Sequence, residues 1–220
     1  SLNILTSPKR HVCTQRNLGA KAAPANILIF CDADNSLPPY FLQGIKYRLE
    51  SEPFDVGSCW FQPDKLTPSS DLISTTMNFG LELQNSIKPR FLLEALVIIR
   101  KKAYDLIGGF DETIDYAEGN NFIHQANKFN LIVKTFHDPI YYYSFRRFRK
   151  FGILKVVKNT TQLGLSNLIG SEYKNQKAST LYPMLGGAIF NKPKRVKNKF
   201  LKNIAKILKR VRQKHGMRCQ

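Results

Sequence analysis

The sequence predicts an α/β domain in which a mostly parallel, Rossmann-like sheet is flanked by helices and followed by a basic helical tail. Three observations lead to this fold class. Short apolar segments typical of strands alternate with segments of helical periodicity. Hydrophobic residues make up 43% of the 220 residues, enough for a buried core. No apolar run reaches the roughly 18 residues that a membrane-spanning helix needs.

The spacing of apolar residues and the positions of prolines predict the first helices and strands. We expect a short strand at Leu2–Thr6 and a helix at Gln15–Ala23, which ends before Pro24. Ile27–Cys31 is almost entirely apolar, a pattern typical of a parallel strand covered on both faces. Pro38–Pro39 begins the next helix, whose apolar residues recur at helical spacing: Phe41, Ile45 and Leu49.

The later elements continue the alternation of strand and helix. Val56–Phe61 and Leu92–Arg100 are the next predicted strands. Ala103–Ile107 is a short helix, which the glycines at 108 and 109 terminate. Apolar and small residues within Asn120–Phe129 fit one helical face. This order favours a sheet whose ligands bind at the carboxyl ends of the strands.

Charge divides the chain into a nearly balanced body and a basic tail. The net charge is +18, but residues 173–220 hold fourteen Lys or Arg and no Asp or Glu, which leaves +4 for the rest. We therefore expect an α/β domain at 1–158, a helical extension at 159–190 and a basic tail at 191–220. Within the tail, residues 197–214 have the pattern of a basic amphipathic helix that contacts an anionic membrane surface. A helix packed on the body and a disordered basic end are the alternatives.

Cysteine usage and the amino terminus indicate where the protein works. The four cysteines do not have zinc-site spacing, and Cys31 is expected to be a small core residue. The first residues lack the pattern of a signal peptide. We expect a cytoplasmic protein, peripheral on the inner face of the cell membrane if the tail binds lipid.

The sharpest local signal is Asp32-Ala33-Asp34, directly after the predicted strand Ile27–Cys31. In an extended chain, carboxylates at positions i and i+2 project to the same side. At the carboxyl end of a strand they would face the ligand crevice, where oxygen ligands suit Mg²⁺ or Mn²⁺ and a diphosphate. The alternative is an exposed turn in which two acids have no ligand.

The order of several segments adds to this signal. Arg16–Ala20 precedes the acidic pair, and Ile107–Glu112, Ala117–Phe122 and Tyr143–Phe148 follow it. This succession resembles the family 2 glycosyltransferases, which are inverting, nucleotide-sugar-dependent enzymes of the GT-A fold. The resemblance covers about residues 1–155 and implies the same fold and activity.

The resemblance also implies roles for individual residues. Asp32 and Asp34 match the family's Asp-x-Asp, which contacts the donor ribose and the metal-bound diphosphate. Arg16 and Asn17 match an Arg-Asn pair that lies near the nucleotide. Arg146 and Arg147 match a basic position that meets the donor diphosphate, a role that suits the planar guanidinium.

At the catalytic base the sequence departs from the family pattern. The family supplies a carboxylate as the Asp of a Glu-Asp pair at the start of a helix, but the pair here reads Glu118-Gly119. Glu118 is the best single candidate for the base that takes the acceptor hydroxyl's proton. Two alternatives are that Asp115 substitutes and that the chain is a poor or inactive transferase.

The expected function is therefore metal-dependent, inverting transfer of a sugar from a nucleotide diphosphate donor to a glycan or lipid-linked acceptor, as in cell envelope polysaccharide synthesis. The family's first nucleotide-binding strands have no counterpart ahead of Leu2, so we expect the chain to be a fragment. A non-catalytic relative is one alternative. The other is a basic module that binds nucleic acid or an anionic surface, although no nucleic-acid motif is present and nucleic acid is not the expected partner.

Overall fold

The computed structural model describes residues 2–87, 93–114, 118–152 and 156. In chain order the described elements are α1 (Val12–Ala22), β1 (Ile27–Cys31), α2 (Phe41–Ser51), β2 (Val56–Pro63), α3 (Pro68–Ile87), β3 (Leu96–Arg100), α4 (Lys101–Ile107), α5 (Glu118–Lys128), β4 (Val133–Tyr143) and α6 (Arg146–Phe151). The chain is thus an α/β structure in which helices flank a sheet.

The sheet is mixed, with the strand order β1-β3-β2-β4. β3 runs antiparallel to both of its neighbours, whereas β2 and β4 are parallel. It follows that β1, β2 and β4 all point the same way and that β3 alone is reversed. The expectation of a mostly parallel sheet is therefore wrong for the strand pairings described, because only one of the three is parallel.

The core lies on both faces of this sheet. Val97 and Ile99 of β3 pack on one face with residues of α1, α4 and α5. Leu96 and Ile98, the alternate residues of the same strand, pack on the other face with residues of α2 and α3. All four side chains are fully buried, and burial of each such side chain contributes about 1.5–3 kcal/mol to stability. The reversed strand is therefore the centre of the domain.

Local sequence accounts for several element boundaries. The side chain of His11 caps the start of α1 by accepting a hydrogen bond from the Thr14 backbone N–H. Phe41 and Ile45, four residues apart, are the buried positions of α2. Gly108 ends α4 with a φ of 85°, a left-handed conformation that glycine adopts without strain.

Most predicted elements are present, with small shifts of their ends, but two further expectations are wrong. Leu2–Thr6 is not a strand: Leu2 and Ile4 are largely exposed, and the segment has no strand partner among the described residues. Cys31 is exposed and not a core residue, because β1 lies at the edge of the described sheet and Cys31 is the last residue of the strand.

Three expectations concern residues outside the described ranges: the helical extension at 159–190, the basic tail at 191–220 and the amphipathic helix at 197–214. Asp115 lies outside them too. Within the described ranges, no helix is both long enough and apolar enough to cross a membrane.

Candidate functional site

The strand directions bring the predicted site residues to one edge of the sheet. Asp32 and Asp34 follow the carboxyl end of β1, and Arg146 begins α6 shortly after the carboxyl end of β4. Because β1, β2 and β4 point the same way, their carboxyl ends share an edge, and the reversed strand β3 begins there. Residues that are far apart in the sequence therefore meet at this edge.

Arg16 is the centre of a buried ionic cluster at this edge. Its Nη2 donates to Oδ1 of Asp32 at 3.1 Å, and its Nη1 donates to Oε1 of Glu118 at 3.2 Å. The same Nη2 lies 2.9 Å from the backbone carbonyl oxygen of Glu94, and the guanidinium sits over the ring of Phe110. The Arg16 and Glu118 side chains are only 9% and 4% exposed. The structure thus joins three of the predicted site residues directly.

Glu94 is a further member of this cluster, and no pattern in the sequence predicted it. Its Oε1 accepts a hydrogen bond of 2.8 Å from the backbone N–H of Gly119, in the first turn of α5. Burial raises the pKa of Glu94 well above its ordinary value, and the charge of Glu118 and a hydrogen bond with that carboxyl raise it further. Burial and the neighbouring Glu118 carboxylate therefore both oppose ionisation of Glu94.

The Asp-x-Asp segment presents two carboxylates in different environments. Oδ2 of Asp34 lies 3.0 Å from Nε of Arg146, so a second pair of predicted residues is joined. The Asp32 side chain is 43% exposed. Partial burial raises the pKa of Asp32 against the opposing charge of Arg16, and Asp34 and Glu118 add to the rise. Asp32 and Asp34 therefore form an acidic, partly solvated surface beside two arginines.

The Asn17 side chain is hydrogen-bonded to α4 and to the loop that follows it. Its Nδ2 donates to the carbonyl oxygen of Phe110 and to Oε1 of Glu112, and its Oδ1 accepts from the Tyr104 hydroxyl and the Phe110 N–H. These four bonds, 2.6 to 2.9 Å long, hold the loop after α4 against α1. The loop in turn places Phe110 under the Arg16 guanidinium.

The other basic residues of α6 differ in their surroundings. Arg147 is half-buried in the first turn of the helix. Arg149 binds Asp64 through two hydrogen bonds of 2.6 and 2.7 Å, and Nζ of Lys150 lies over the ring of Phe151. Arg149 thus belongs to a separate ion pair, whereas Arg146 contacts the Asp-x-Asp segment.

The residues present fit a divalent cation that is bound mainly by a ligand and water. Among the residues described, no group of three or more His, Cys, Asp and Glu could hold a metal ion on its own. Mg²⁺ is commonly bound through one or two carboxylates together with substrate phosphates and water. Asp32 and Asp34 supply that number of carboxylates at the open edge of the sheet.

The comparisons with known proteins assign no family. No protein-family model matches this chain, and no curated protein is significantly similar to it.

Proposed function

We propose that this chain is a GT-A-like glycosyltransferase that moves a sugar from a nucleotide diphosphate donor to a glycan or lipid-linked acceptor with Mg²⁺ or Mn²⁺. The observation that carries the proposal is the convergence of separate sequence motifs at one edge of the sheet. Arg16 contacts Asp32 and Glu118, and Arg146 contacts Asp34. These residues come from four separate sequence motifs.

The chemistry of this edge suits a nucleotide diphosphate. Asp34 and Asp32 would hold the cation, which neutralises negative charge on the departing diphosphate. Arg146 lies against Asp34, so its guanidinium can bind phosphate oxygens beside the same cation. Arg147, the next residue in α6, is a second candidate for the diphosphate. Arg16 holds Asp32 in place, which favours a role for Asp32 in orienting the donor.

Nucleotide binding is the first test of this function. Titration calorimetry of UDP and GDP, with and without Mn²⁺, should detect metal-dependent binding by the whole chain. Asp34→Ala should weaken that binding at least about tenfold, because the cation loses a charged ligand. Asp105→Ala removes an exposed carboxylate on α4 and serves as the matched control. Absence of binding by the folded chain, or equal binding by Asp34→Ala, would refute the proposal.

Turnover separates the transferase from a non-catalytic relative. Release of UDP or GDP from a panel of nucleotide hexoses, with water as acceptor, reports cleavage of the bond between the sugar and the diphosphate. A chain that binds nucleotide in a metal-dependent way and releases nothing would favour the non-catalytic alternative. Deletion of residues 192–220 tests the nucleic-acid alternative. If the deletion abolishes binding of polyanions and leaves nucleotide binding intact, any affinity for nucleic acid belongs to the tail.

A further inference from the structure

We propose that Glu94, and not Glu118, is the carboxylate that takes the proton from the acceptor hydroxyl. This inference rests on the proposed function and names a catalytic residue for it. The geometry around Gly119 supports the inference, because position 119 is a glycine and provides no carboxylate.

Glu118 is poorly placed to meet an acceptor. Its side chain is 4% exposed, and its Oε1 is bound to the Arg16 guanidinium, which is itself 9% exposed. A carboxylate in such a pair is held by its counter-ion and shielded from a second molecule. Glu118 can therefore hold Arg16 and influence its neighbours, but an acceptor hydroxyl cannot reach it without disrupting the cluster.

As a residue Glu94 is less buried than Glu118, and the first turn of α5 positions its carboxyl group. It is half-buried, and the backbone N–H of Gly119 fixes its Oε1 at 2.8 Å. That N–H belongs to the first turn of α5 and has no partner within the helix, so it is available to orient a carboxylate. The same carboxyl forms a hydrogen bond with Glu118, so these two contacts hold Glu94 at the edge of the sheet.

The absence of a side chain at Gly119 makes room for this carboxylate. A Cβ at position 119 would overlap Cγ of Glu94 and lie 2.8 Å from its Oε1. No side chain at position 119 can therefore coexist with Glu94 in this position. The glycine and the glutamate are complementary: the residue that supplies the carboxylate comes from the segment before β3 and fills the space beside α5.

The proposed step conserves atoms and electrons. The acceptor oxygen bonds to the anomeric carbon of the sugar while its hydrogen passes to Glu94. The bond between that carbon and the diphosphate oxygen breaks, and its electron pair leaves with the nucleoside diphosphate. The charged or titratable groups around Glu94 are Arg16 and Cys13 of α1 and Glu118 of α5. Burial and the charge of Glu118 make Glu94 a stronger base than an isolated carboxylate.

Glu94→Gln is the direct test, because it keeps the shape of the side chain and an oxygen for the Gly119 N–H. We expect nucleotide affinity in the presence of Mn²⁺ to stay within about twofold. The kcat for release of nucleoside diphosphate from nucleotide hexoses should fall at least about 100-fold with KM nearly unchanged. Wild-type turnover by this variant would overturn the proposal. Absence of nucleotide binding by the wild type would instead refute the proposed function.

A pH profile distinguishes catalysis from a structural role. The wild-type kcat should rise with pH as Glu94 loses its proton, because only the ionised form accepts one. In Glu118→Gln the rise should move to lower pH, since removal of a neighbouring negative charge makes Glu94 easier to ionise. A rise at unchanged pH in Glu118→Gln would show that another group controls the rate and would overturn the proposal.

Gly119→Ala tests the same geometry without changing a carboxylate. The added methyl group displaces Glu94, so kcat should fall at least about tenfold while nucleotide affinity stays within about twofold. Gly80→Ala is the matched control, because a Cβ there meets no atom within 4 Å. Equal turnover by the two alanine variants would contradict the proposed position of the base.

Discussion

Two arginine–carboxylate clusters lie at the same edge of the sheet, and they differ in how their charges balance. Asp64 follows the carboxyl end of β2 and binds Arg149 one to one, through two short hydrogen bonds. Arg16 instead contacts Asp32 and Glu118, with the carboxyl of Glu94 beside the latter. The first cluster is a matched pair, whereas the second has more acids than bases.

The pKa values of the carboxyl groups shift in opposite directions in the two clusters. Burial opposes ionisation of Asp64, but hydrogen bonds from Arg149 and from the Phe145 N–H prevail and lower its pKa. Around Arg16, burial raises the pKa values of Glu94 and Asp32, neighbouring carboxyl groups add to the rise, and one guanidinium does not offset both effects. A folded protein tolerates an unbalanced acidic cluster most readily where a cation or substrate supplies the missing interaction. The comparison therefore favours the Arg16 cluster as the functional one.

The largest expected effect follows from removal of the Arg16 guanidinium, the positive charge at the centre of its cluster. Arg16→Met should lower the free energy of unfolding by about 3–5 kcal/mol, because it leaves buried carboxyl groups without a counter-ion. Arg149→Met should cost about 1 kcal/mol or less, since that pair is partly solvated. Urea denaturation of both variants near pH 8 measures the difference. Equal losses in the two variants would contradict the distinction between the clusters.

The sequence was sufficient to select most of the Arg16 cluster but not Glu94. Arg16, Asp32 and Glu118 stand in recognisable local patterns, and each pattern could be read by itself. Glu94 precedes an apolar strand and carries no such pattern. Its position depends on the antiparallel pairing of β3 with β1, in which Leu96 lies opposite Cys31. Pairing and strand direction are set by the whole sheet, so no local reading could place Glu94 beside Glu118.

The same reason explains why some features of the fold could not be predicted from the sequence. The alternation of strands and helices indicated an α/β structure, but the reversed direction of β3 leaves no mark in an apolar segment. The segment Leu2–Thr6 has strand-like composition and no strand partner in the part of the chain described. The helix α3, for which no element was predicted, is rich in Ser, Thr and Asn, which have lower helix propensity. Packing against β2 and neighbouring core residues overrides that preference.

A change of pH should reveal the excess of acids in the Arg16 cluster. The raised pKa means that the folded chain holds the proton of Glu94 more tightly than the unfolded chain does. The resulting stabilisation is present below the unfolded pKa of about 4.3 and is lost as the pH rises through the folded value. Glu94→Gln cannot ionise, so its free energy of unfolding should fall less over that range than the wild type's. Urea denaturation at a series of pH values measures both slopes.

An exposed glutamate provides the control for this slope. Glu50 is 65% exposed and forms only a 3.9 Å pair with Lys46, so Glu50→Gln should leave the pH dependence of the wild type unchanged. If Glu94→Gln followed the wild-type slope as closely as Glu50→Gln does, the raised pKa of Glu94 could not be the cause of the expected loss.

The smallest expected effect belongs to the matched pair and has the opposite sign. The lowered pKa of Asp64 stabilises the fold above the unfolded value of about 3.9, and this stabilisation is lost as the pH falls through the folded value. Asp64→Asn should therefore cost about 1 kcal/mol or less near neutral pH. Below the folded pKa the difference from the wild type should shrink. Added salt should weaken the pair as well, because the Arg149 side chain is 39% exposed.

Measured together, Asp64→Asn and Glu94→Gln distinguish a charge-balanced ion pair from an acidic cluster with too few bases at this edge of the sheet. A pair that serves the fold loses its contribution in acid and is weakened by salt, whereas an unbalanced cluster loses stability as the pH rises. Denaturation of both variants in acid and near neutrality, at low and high salt, therefore tests the comparison itself. If both variants altered stability in the same pH range and in the same direction, charge balance would not distinguish the two clusters, and the assignment of function to the Arg16 cluster would lose its electrostatic support.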